Sequence, residues 1–166
     1  MPAEHPFPPV FDDRSHILIL GSYPSVKSRQ EGFFYGHPQN RFWPMVAAIF
    51  SEPVPVSVDE KKALLLRHGL ALWDVIAACD ITGSSDASIR NAVPVDIARI
   101  TNCASIGRVI CNGATAGRLY HKHLLPVTGM EAVVLPSTSP ANAAWRMPAL
   151  VDVWGQALTL PPAETR

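Results

Sequence analysis

The 166-residue sequence lacks the features that mark membrane proteins, secreted proteins and proteins that coat nucleic acid. No apolar run approaches the ~18 residues that span a bilayer, and residues 1–9 show no basic stretch followed by an apolar one. Fourteen Lys and Arg residues balance fourteen Asp and Glu residues, so the bulk charge does not favour a large phosphate-binding surface. We therefore expect a cytoplasmic protein that has no membrane partner and whose binding groove is small.

Cysteine is also scarce, and its distribution does not match the common metal or disulfide frameworks. Cys79, Cys103 and Cys111 are odd in number and widely spaced, whereas structural zinc and iron–sulfur clusters take a full set of closely spaced ligands. His121 and His123 form only a pair and have no further obvious ligand. We predict three reduced thiols in the core and an activity that uses neither metal nor cofactor.

Four short apolar runs predict the strands of a parallel sheet. They cover residues 16–20, 70–72, 108–111 and 132–135. Such continuous runs are typical of strands that are buried on both faces. Helices are predicted between and around them, over residues 43–50, 59–68, 95–101, 114–123 and 148–158. This alternation predicts an α/β layered fold with a mainly parallel sheet.

The chain length fits one domain with a single core, which we place over residues 1–166. The proline-rich ends, residues 1–12 and 161–166, are expected to be extended surface tails that take no part in chemistry. In open α/β sheets, ligands bind beyond the carboxyl ends of the strands. We therefore expect the functional site where the loops after Leu20, Cys111 and Leu135 converge.

The first of these loops combines a glycine turn with many aromatic residues. It begins Gly21-Ser22-Tyr23-Pro24-Ser25 and continues through the aromatic stretch 33–43. The glycine permits close approach of the backbone to a ligand, and the N–H groups of such a turn can bind a carbonyl oxygen or an anion. The rings of Phe34 and Tyr35 are suited to stacking on a base that has left a duplex.

The loop after the last strand is rich in hydroxyl groups and stiffened by proline. It runs Leu-Pro-Ser-Thr-Ser-Pro-Ala-Asn over residues 135–142, and Ser137 and Ser139 are suited to binding phosphates. Basic side chains fall within this loop and the first one, and they allow a small basic groove; these are Lys27, Arg29, Arg41 and Arg146.

Both loops also have purely structural interpretations. Phe34, Phe42 and Trp43 are alternatively core residues at the start of a helix. Asn40 is alternatively the N-cap of that helix. The serines of the last loop are alternatively caps of a following helix.

Together these segments resemble the uracil-DNA glycosylase superfamily. The likeness rests on Gly-Ser-Tyr-Pro at 21–24, His-Pro-Gln-Asn-Arg-Phe-Trp at 37–43 and Pro-Ser-Thr-Ser-Pro-Ala-Asn at 136–142. It extends to residues 69–75, 86–89 and the Asn112-Gly113 step, and it spans most of residues 14–150. The greatest similarity is to the hypoxanthine-DNA (deoxyinosine) glycosylase branch, followed by the mismatch-specific uracil glycosylases. The resemblance implies a three-layer sandwich around a mainly parallel four-stranded sheet.

One departure from the family pattern bears on the chemistry. In the uracil-cleaving members, the position of Tyr23 is an Asp or Asn that handles the attacking water. A tyrosine, whose unperturbed pKa is about 10, cannot replace a carboxylate at neutral pH. In the hypoxanthine branch, the resemblance implies that the Asn of the Asn-x-Phe-Trp element serves instead, which makes Asn40 the catalytic residue here.

The resemblance implies a monofunctional, monomeric enzyme that flips a deaminated base out of DNA and hydrolyses its glycosidic bond with water. The base-binding residues that it implies are Gly21, Ser22, Tyr23, Pro24, Phe34, Tyr35 and Asn112. The DNA-contacting residues that it implies are Ser25, Lys27, Ser137, Ser139, Asn142, Trp145 and Arg146. Either Trp145 or Arg146 is expected to fill the space that the flipped base leaves.

Three alternatives stay open on the sequence alone. One is a mismatch-specific uracil or thymine glycosylase. A second is a relative that binds damaged DNA without cleaving it, since Tyr23 replaces the familiar catalytic acid. A third is a nucleoside or nucleotide hydrolase, although the chain has neither of the common glycine-rich phosphate-binding motifs.

Overall fold

The computed structural model describes residues 5–159, which form a central sheet with helices around it. In chain order the elements are β1 (Ile17–Gly21), α1 (Val26–Glu31), α2 (Phe42–Ile49), α3 (Val58–Arg67), β2 (Leu70–Asp74), β3 (Ile76–Asp80), β4 (Arg90–Pro94), α4 (Ala98–Thr101), β5 (Arg108–Asn112), α5 (Ala114–His123), α6 (Leu125–Thr128), β6 (Ala132–Leu135) and α7 (Met147–Thr159). A short 3-10 helix, Asp86–Ser88, lies between β3 and β4.

The central sheet contains β2, β1, β5 and β6 in that order, and each neighbouring pair is parallel. The predicted α/β fold with a parallel four-stranded sheet is confirmed. The apolar run of β1 is fully buried. This is expected of a strand that lies between two others, here β2 and β5, in a parallel sheet. At the open edge, Val133 and Val134 of β6 are exposed. Because all four strands are parallel, their carboxyl ends lie at one edge of the sheet.

The structure contains a second, two-stranded sheet that the sequence did not predict. It pairs β3 with β4 in antiparallel fashion, with two shifts of register. The strand β3 is composed mainly of small residues, and β4 is mostly exposed and ends in proline, so neither has the strong apolar signal of a central strand. The helix predicted over residues 95–101 is restricted to α4.

The helix α1 was also missed, because its sequence has little apolar periodicity. Its ends are instead defined by local caps. The side chain of Ser25 accepts a hydrogen bond from the Ser28 N–H at the start, and Gly32 adopts a left-handed conformation at the end.

The N-terminal segment differs from the expected surface tail. Phe7 and Val10 are buried in the core. Val10 also forms an antiparallel bridge with Leu72 of β2, with backbone hydrogen bonds of 2.9 Å in both directions. The segment that contains His5 is therefore fixed against the sheet. The C-terminal tail, 161–166, lies outside the described residues.

The cysteines also differ partly from the expectation of three core thiols. Cys111 is buried in β5, and burial raises the pKa of its thiol to about 12. Cys79 is half-buried, but Cys103 is exposed just after α4. Across residues 5–159, the helices are too short or too polar to cross a bilayer.

The helix α7 fixes the loop that follows β6. Trp154 is fully buried, and its ring packs edge-on against Phe42 of α2. Its Nε1 donates a hydrogen bond of 2.9 Å to the carbonyl of Pro136. The hydroxyl-rich loop is thereby attached at its first residue to the core.

We expect Trp154→Phe to lower the free energy of unfolding by about 1–3 kcal/mol beyond the loss of ring volume, because the Pro136 carbonyl would be left without its partner. Trp73→Phe is the matched control, since Trp73 is also buried but its Nε1 has no hydrogen-bond partner. Urea denaturation of both variants measures the difference. An equal or larger loss for Trp73→Phe would contradict this role for the hydrogen bond.

Candidate active site

A cavity of about 370 Å³ opens at the edge of the sheet where the parallel strands end. Its volume lies within the range of roughly 300–1,000 Å³ that is usual for small-molecule sites. The ends of β1, β2 and β5 contribute to it, together with the loop after β6. The cavity is therefore located where the strand order predicted a ligand site.

Most of the residues singled out from the sequence line this cavity. They are Asn40, all of the expected base-binding residues (Gly21, Ser22, Tyr23, Pro24, Phe34, Tyr35, Asn112) and the serines Ser25, Ser137 and Ser139. Asn142 and Trp145 instead line an adjoining open groove, which also includes Ser137 and Ser139.

Two of the expected DNA-contacting residues lie outside both the cavity and the groove. Lys27 projects from α1, and its Nζ is 3.6 Å from the Glu31 carboxylate. Arg146 is exposed immediately before α7.

The absence of a side chain at Gly21 determines the shape of the cavity at the end of β1. Gly21 is paired with Asp74 at the end of β2. A Cβ atom at Gly21 would lie 2.3 Å from Asp74 Oδ1 and 3.1 Å from the Tyr35 hydroxyl. Only glycine therefore allows these two polar groups to approach the end of β1.

Asp74 forms a buried pair with a histidine from the N-terminal segment. Its Oδ2 is 2.8 Å from Nε2 of His5, and the side chains are only 6% and 1% exposed. Nδ1 of His5 is 2.7 Å from the carbonyl oxygen of Phe7, and its ring stacks on Phe34. The sequence does not indicate this pair, because a histidine within a proline-rich end carries no signal for a site.

Tyr35 places a phenol hydroxyl in the cavity, and the hydrogen of this hydroxyl has no acceptor among the described residues. Its backbone is in the left-handed region, with φ of 53°, and its ring stacks on Phe42 at 4.2 Å between centroids. The hydroxyl is buried, and it donates no hydrogen bond to any of residues 5–159. Burial, and secondarily the charge of Asp74, raise the pKa of Tyr35 despite the opposing effect of the nearby Asn112 amide. The phenol is therefore a neutral donor.

The side chain of Asn40 makes structural hydrogen bonds and also lines the cavity. Its Oδ1 accepts hydrogen bonds of 2.9 Å from the backbone N–H of Phe42 and from the hydroxyl of Thr138. The first bond is a turn contact that supports the start of α2. The N-cap itself is Arg41, so Asn40 is not the N-cap that the structural interpretation made it. With Oδ1 engaged twice, the amide nitrogen is the group that Asn40 can offer to a ligand.

Thr138 connects the two asparagines of the cavity. It is fully buried, and its backbone N–H donates to Asn112 Oδ1 at 3.0 Å. Its hydroxyl oxygen accepts from Asn112 Nδ2 at 3.1 Å while donating to Asn40. This threonine was not among the predicted site residues, although it lies between two serines that were.

A second carboxylate, Asp86, also lines the cavity and was not predicted. The hydroxyl of Ser22 donates to its Oδ1 at 2.8 Å. Enclosure by the cavity raises the pKa of Asp86, and the hydrogen bond from Ser22 partly offsets this effect. Asp86 lies where the cavity meets the groove, since it lines both.

Arg41 holds the hydroxyl-rich loop and is not part of a basic groove. Its guanidinium donates to the carbonyl oxygens of Ser139 at 2.7 Å, Asn142 at 3.1 Å and Trp145. Its Nε donates to the Thr138 carbonyl at 3.3 Å. These bonds use the donors that a phosphate would otherwise engage.

Arg41→Met should release this loop, because several carbonyl groups would lose a charged donor at once. We expect the free energy of unfolding to fall by about 2 kcal/mol or more, with faster amide exchange across residues 138–146. Arg146→Met is the matched control, since Arg146 is exposed and should change neither quantity. Unaltered exchange in Arg41→Met would show that the loop is held by other contacts.

Comparisons with known proteins find similarity to one family. The family model described as the Uracil DNA glycosylase superfamily matches residues 8–158. A Methanosarcina acetivorans protein named hypoxanthine DNA glycosylase is 39% identical over 138 residues, or 82% of this chain and 86% of the relative. A Methanosarcina barkeri protein of the same name is 33% identical over the same shares. A solution NMR structure of a candidate uracil DNA glycosylase from M. acetivorans superposes with a TM-score of 0.78 and 32% identity, covering 92% of this chain and 94% of that one.

Proposed function

The chain belongs to the uracil-DNA glycosylase superfamily, and we propose that it is a monofunctional DNA glycosylase that excises hypoxanthine. The resemblance predicted from the sequence is confirmed by the family match and by relatives named hypoxanthine DNA glycosylase. The observation that carries the proposal is the cavity at the strand ends, which brings Asn40 together with the expected base-binding residues. The substrate is DNA that contains deaminated bases, on which the protein acts as a cytoplasmic monomer.

A base must leave the duplex to enter such a cavity. The rings of Phe34 and Tyr35 are packed against other rings and line the cavity as fixed surfaces. Tyr23 is half-buried at the cavity, with the Arg29 guanidinium 5.5 Å from its ring centroid. The base would thus enter a site whose aromatic components are already in position, which lowers the ordering required on binding.

Hydrolysis breaks the bond between C1′ and the base nitrogen, so the bonding electrons go to the base and positive charge develops on the sugar. Water then adds to C1′ and loses a proton, and the departing base takes up a proton, so the products are the sugar hydroxyl and the neutral base. The Asn40 amide nitrogen donates to the base or to the water, and the negative charge of Asp86, at the mouth of the cavity, favours the positive sugar. The reaction requires positioned dipoles and no covalent attachment, because no lysine lines the cavity among residues 5–159.

The serines of the last loop are arranged to donate outward. The oxygen of Ser137 accepts from the Ser139 N–H at 3.1 Å, and that of Ser139 accepts from the Ala141 N–H at 3.2 Å. These contacts are turns within the loop and not caps of the following helix, which begins at Met147. They leave each hydroxyl hydrogen available. We assign these hydrogens to the phosphates that flank the flipped nucleotide.

Asn40→Ala should slow single-turnover base release by about 100-fold, the usual effect of removing one preorganised donor, with little change in DNA affinity. It should also lower the free energy of unfolding by about 1 kcal/mol, because the backbone N–H of Phe42 loses its acceptor. Asn40→Asp is the control, since it retains the oxygen acceptor. We expect it to be stable but slow. If Asn40→Ala has a lower melting temperature but a normal cleavage rate, the role of Asn40 is purely structural.

Hypoxanthine should be released faster than uracil from otherwise identical duplexes. Tyr23 lines the cavity where uracil-cleaving relatives have an Asp or Asn, and a purine leaving group spreads its charge over two rings and so requires less help from the water. Tyr23→Asn should raise the rate with uracil. Equal rates for the two bases in the wild type would contradict the specificity. Retention of the duplex without cleavage of either base would indicate a binding protein.

Base release should proceed unchanged in excess EDTA, because the chemistry depends on positioned dipoles. Single-turnover rates before and after extensive chelation measure this. Activity that is lost on chelation and restored by zinc would contradict the mechanism.

A further inference from the structure

Asp74 and the Tyr35 hydroxyl line the cavity, and His5 contacts Asp74 from outside it. The mechanism described above assigns no role to the Asp74 carboxylate, the Tyr35 hydroxyl or His5. Burying a polar side chain such as a carboxyl or imidazole costs free energy, which its hydrogen bonds only partly offset. A buried hydroxyl without a partner is unfavourable in itself. Their concentration at one point of a ligand cavity calls for a functional explanation.

The two groups that face the cavity have complementary hydrogen-bonding character. The phenol of Tyr35 is a donor without an acceptor. Oδ2 of Asp74 is engaged by His5, whereas Oδ1 has no hydrogen bond among the described residues and is directed towards Gly21. Both Oδ1 and the phenol oxygen lie within 3.1 Å of the position that a Gly21 Cβ would occupy. A neutral donor and an anionic acceptor thus stand side by side.

This pair matches the edge of a base that deamination creates. Adenine presents an amino donor beside the acceptor N1. Hypoxanthine presents the acceptor O6 beside the donor N1–H. A donor next to an anionic acceptor complements the second pattern and opposes the first, because the carboxylate would face the N1 lone pair of adenine. A site built to form hydrogen bonds discriminates strongly against a base that leaves its polar groups unpaired.

We propose that Tyr35 and Asp74 recognise the lactam edge of the flipped base, with Tyr35 donating to O6 and Asp74 accepting from N1–H, and that His5 positions the Asp74 carboxylate. The inference rests on the proposed glycosylase function. His5 is fixed from behind by the contact of its Nδ1 with the Phe7 carbonyl and by the packing of its ring on Phe34. The N-terminal segment therefore contributes to specificity and is not an inert tail.

Altered bases test the two contacts. Duplexes with 1-methylhypoxanthine lack the N1–H but keep O6, whereas duplexes with unsubstituted purine lack both O6 and the N1–H. In single-turnover assays, Asp74→Asn should slow release of hypoxanthine about 10- to 100-fold but should have little further effect on 1-methylhypoxanthine.

Tyr35→Phe should slow release of hypoxanthine but not of purine. It should not lower the melting temperature, because the lost hydroxyl donates no hydrogen bond to the described residues. Tyr120→Phe is the matched control, since its buried hydroxyl is satisfied by Thr128 and Met130 and its loss should affect all bases equally.

His5 is tested by the ratio of the rates with hypoxanthine and 1-methylhypoxanthine. His5→Ala should lower this ratio, and His5→Gln, which retains a donor, should restore part of it. A purely structural role would slow both bases equally. Equal losses on natural and altered bases in the Asp74 and Tyr35 variants would overturn the inference while the glycosylase function stands. Failure of the wild type to release any base would instead contradict the proposed function.

Discussion

The missing side chain at Gly21 is the constraint on which the site depends. The strand β1 lies between β2 and β5, so its carboxyl end is adjacent to Asp74 on one side and to Asn112 on the other. A side chain at Gly21 would fill the space into which Asp74 and Tyr35 project. The parallel sheet brings the polar strand ends together, and the glycine leaves the volume in which they can face a ligand.

The rest of the structure keeps this arrangement in place before any ligand binds. Thr138 links Asn40 to Asn112, Arg41 holds the carbonyl groups of the last loop, and Trp154 attaches the start of that loop to the core. Rigid positioning of this kind is what hydrolysis by dipoles requires, because a small displacement of a donor loses much of its effect on the transition state. We therefore expect variants that loosen this loop also to slow base release.

The central strands and the location of the cavity could be predicted from the sequence. The short apolar runs indicate the strands, and the small or polar residues at which the runs end indicate where a ligand can bind. The β3–β4 hairpin could not, since small and exposed residues form those strands. His5 was assigned to a tail because its partner, Asp74, lies 69 positions away and nothing local indicates the pairing. The sequence allows Arg41 a place in a small basic groove, because charge alone does not show that backbone carbonyls engage its guanidinium.

The central claim is that a lactam base enters this cavity with its O6 and N1–H directed at Tyr35 and Asp74. The most direct test is a crystal structure with a duplex that carries a non-cleavable 2′-fluorinated deoxyinosine. The account predicts that the base is flipped into the cavity beside Gly21, with O6 within hydrogen-bonding distance of the Tyr35 hydroxyl and N1 within that distance of Asp74 Oδ1. A base that remains stacked in the duplex, or that enters with this edge directed away from Asp74, would contradict it.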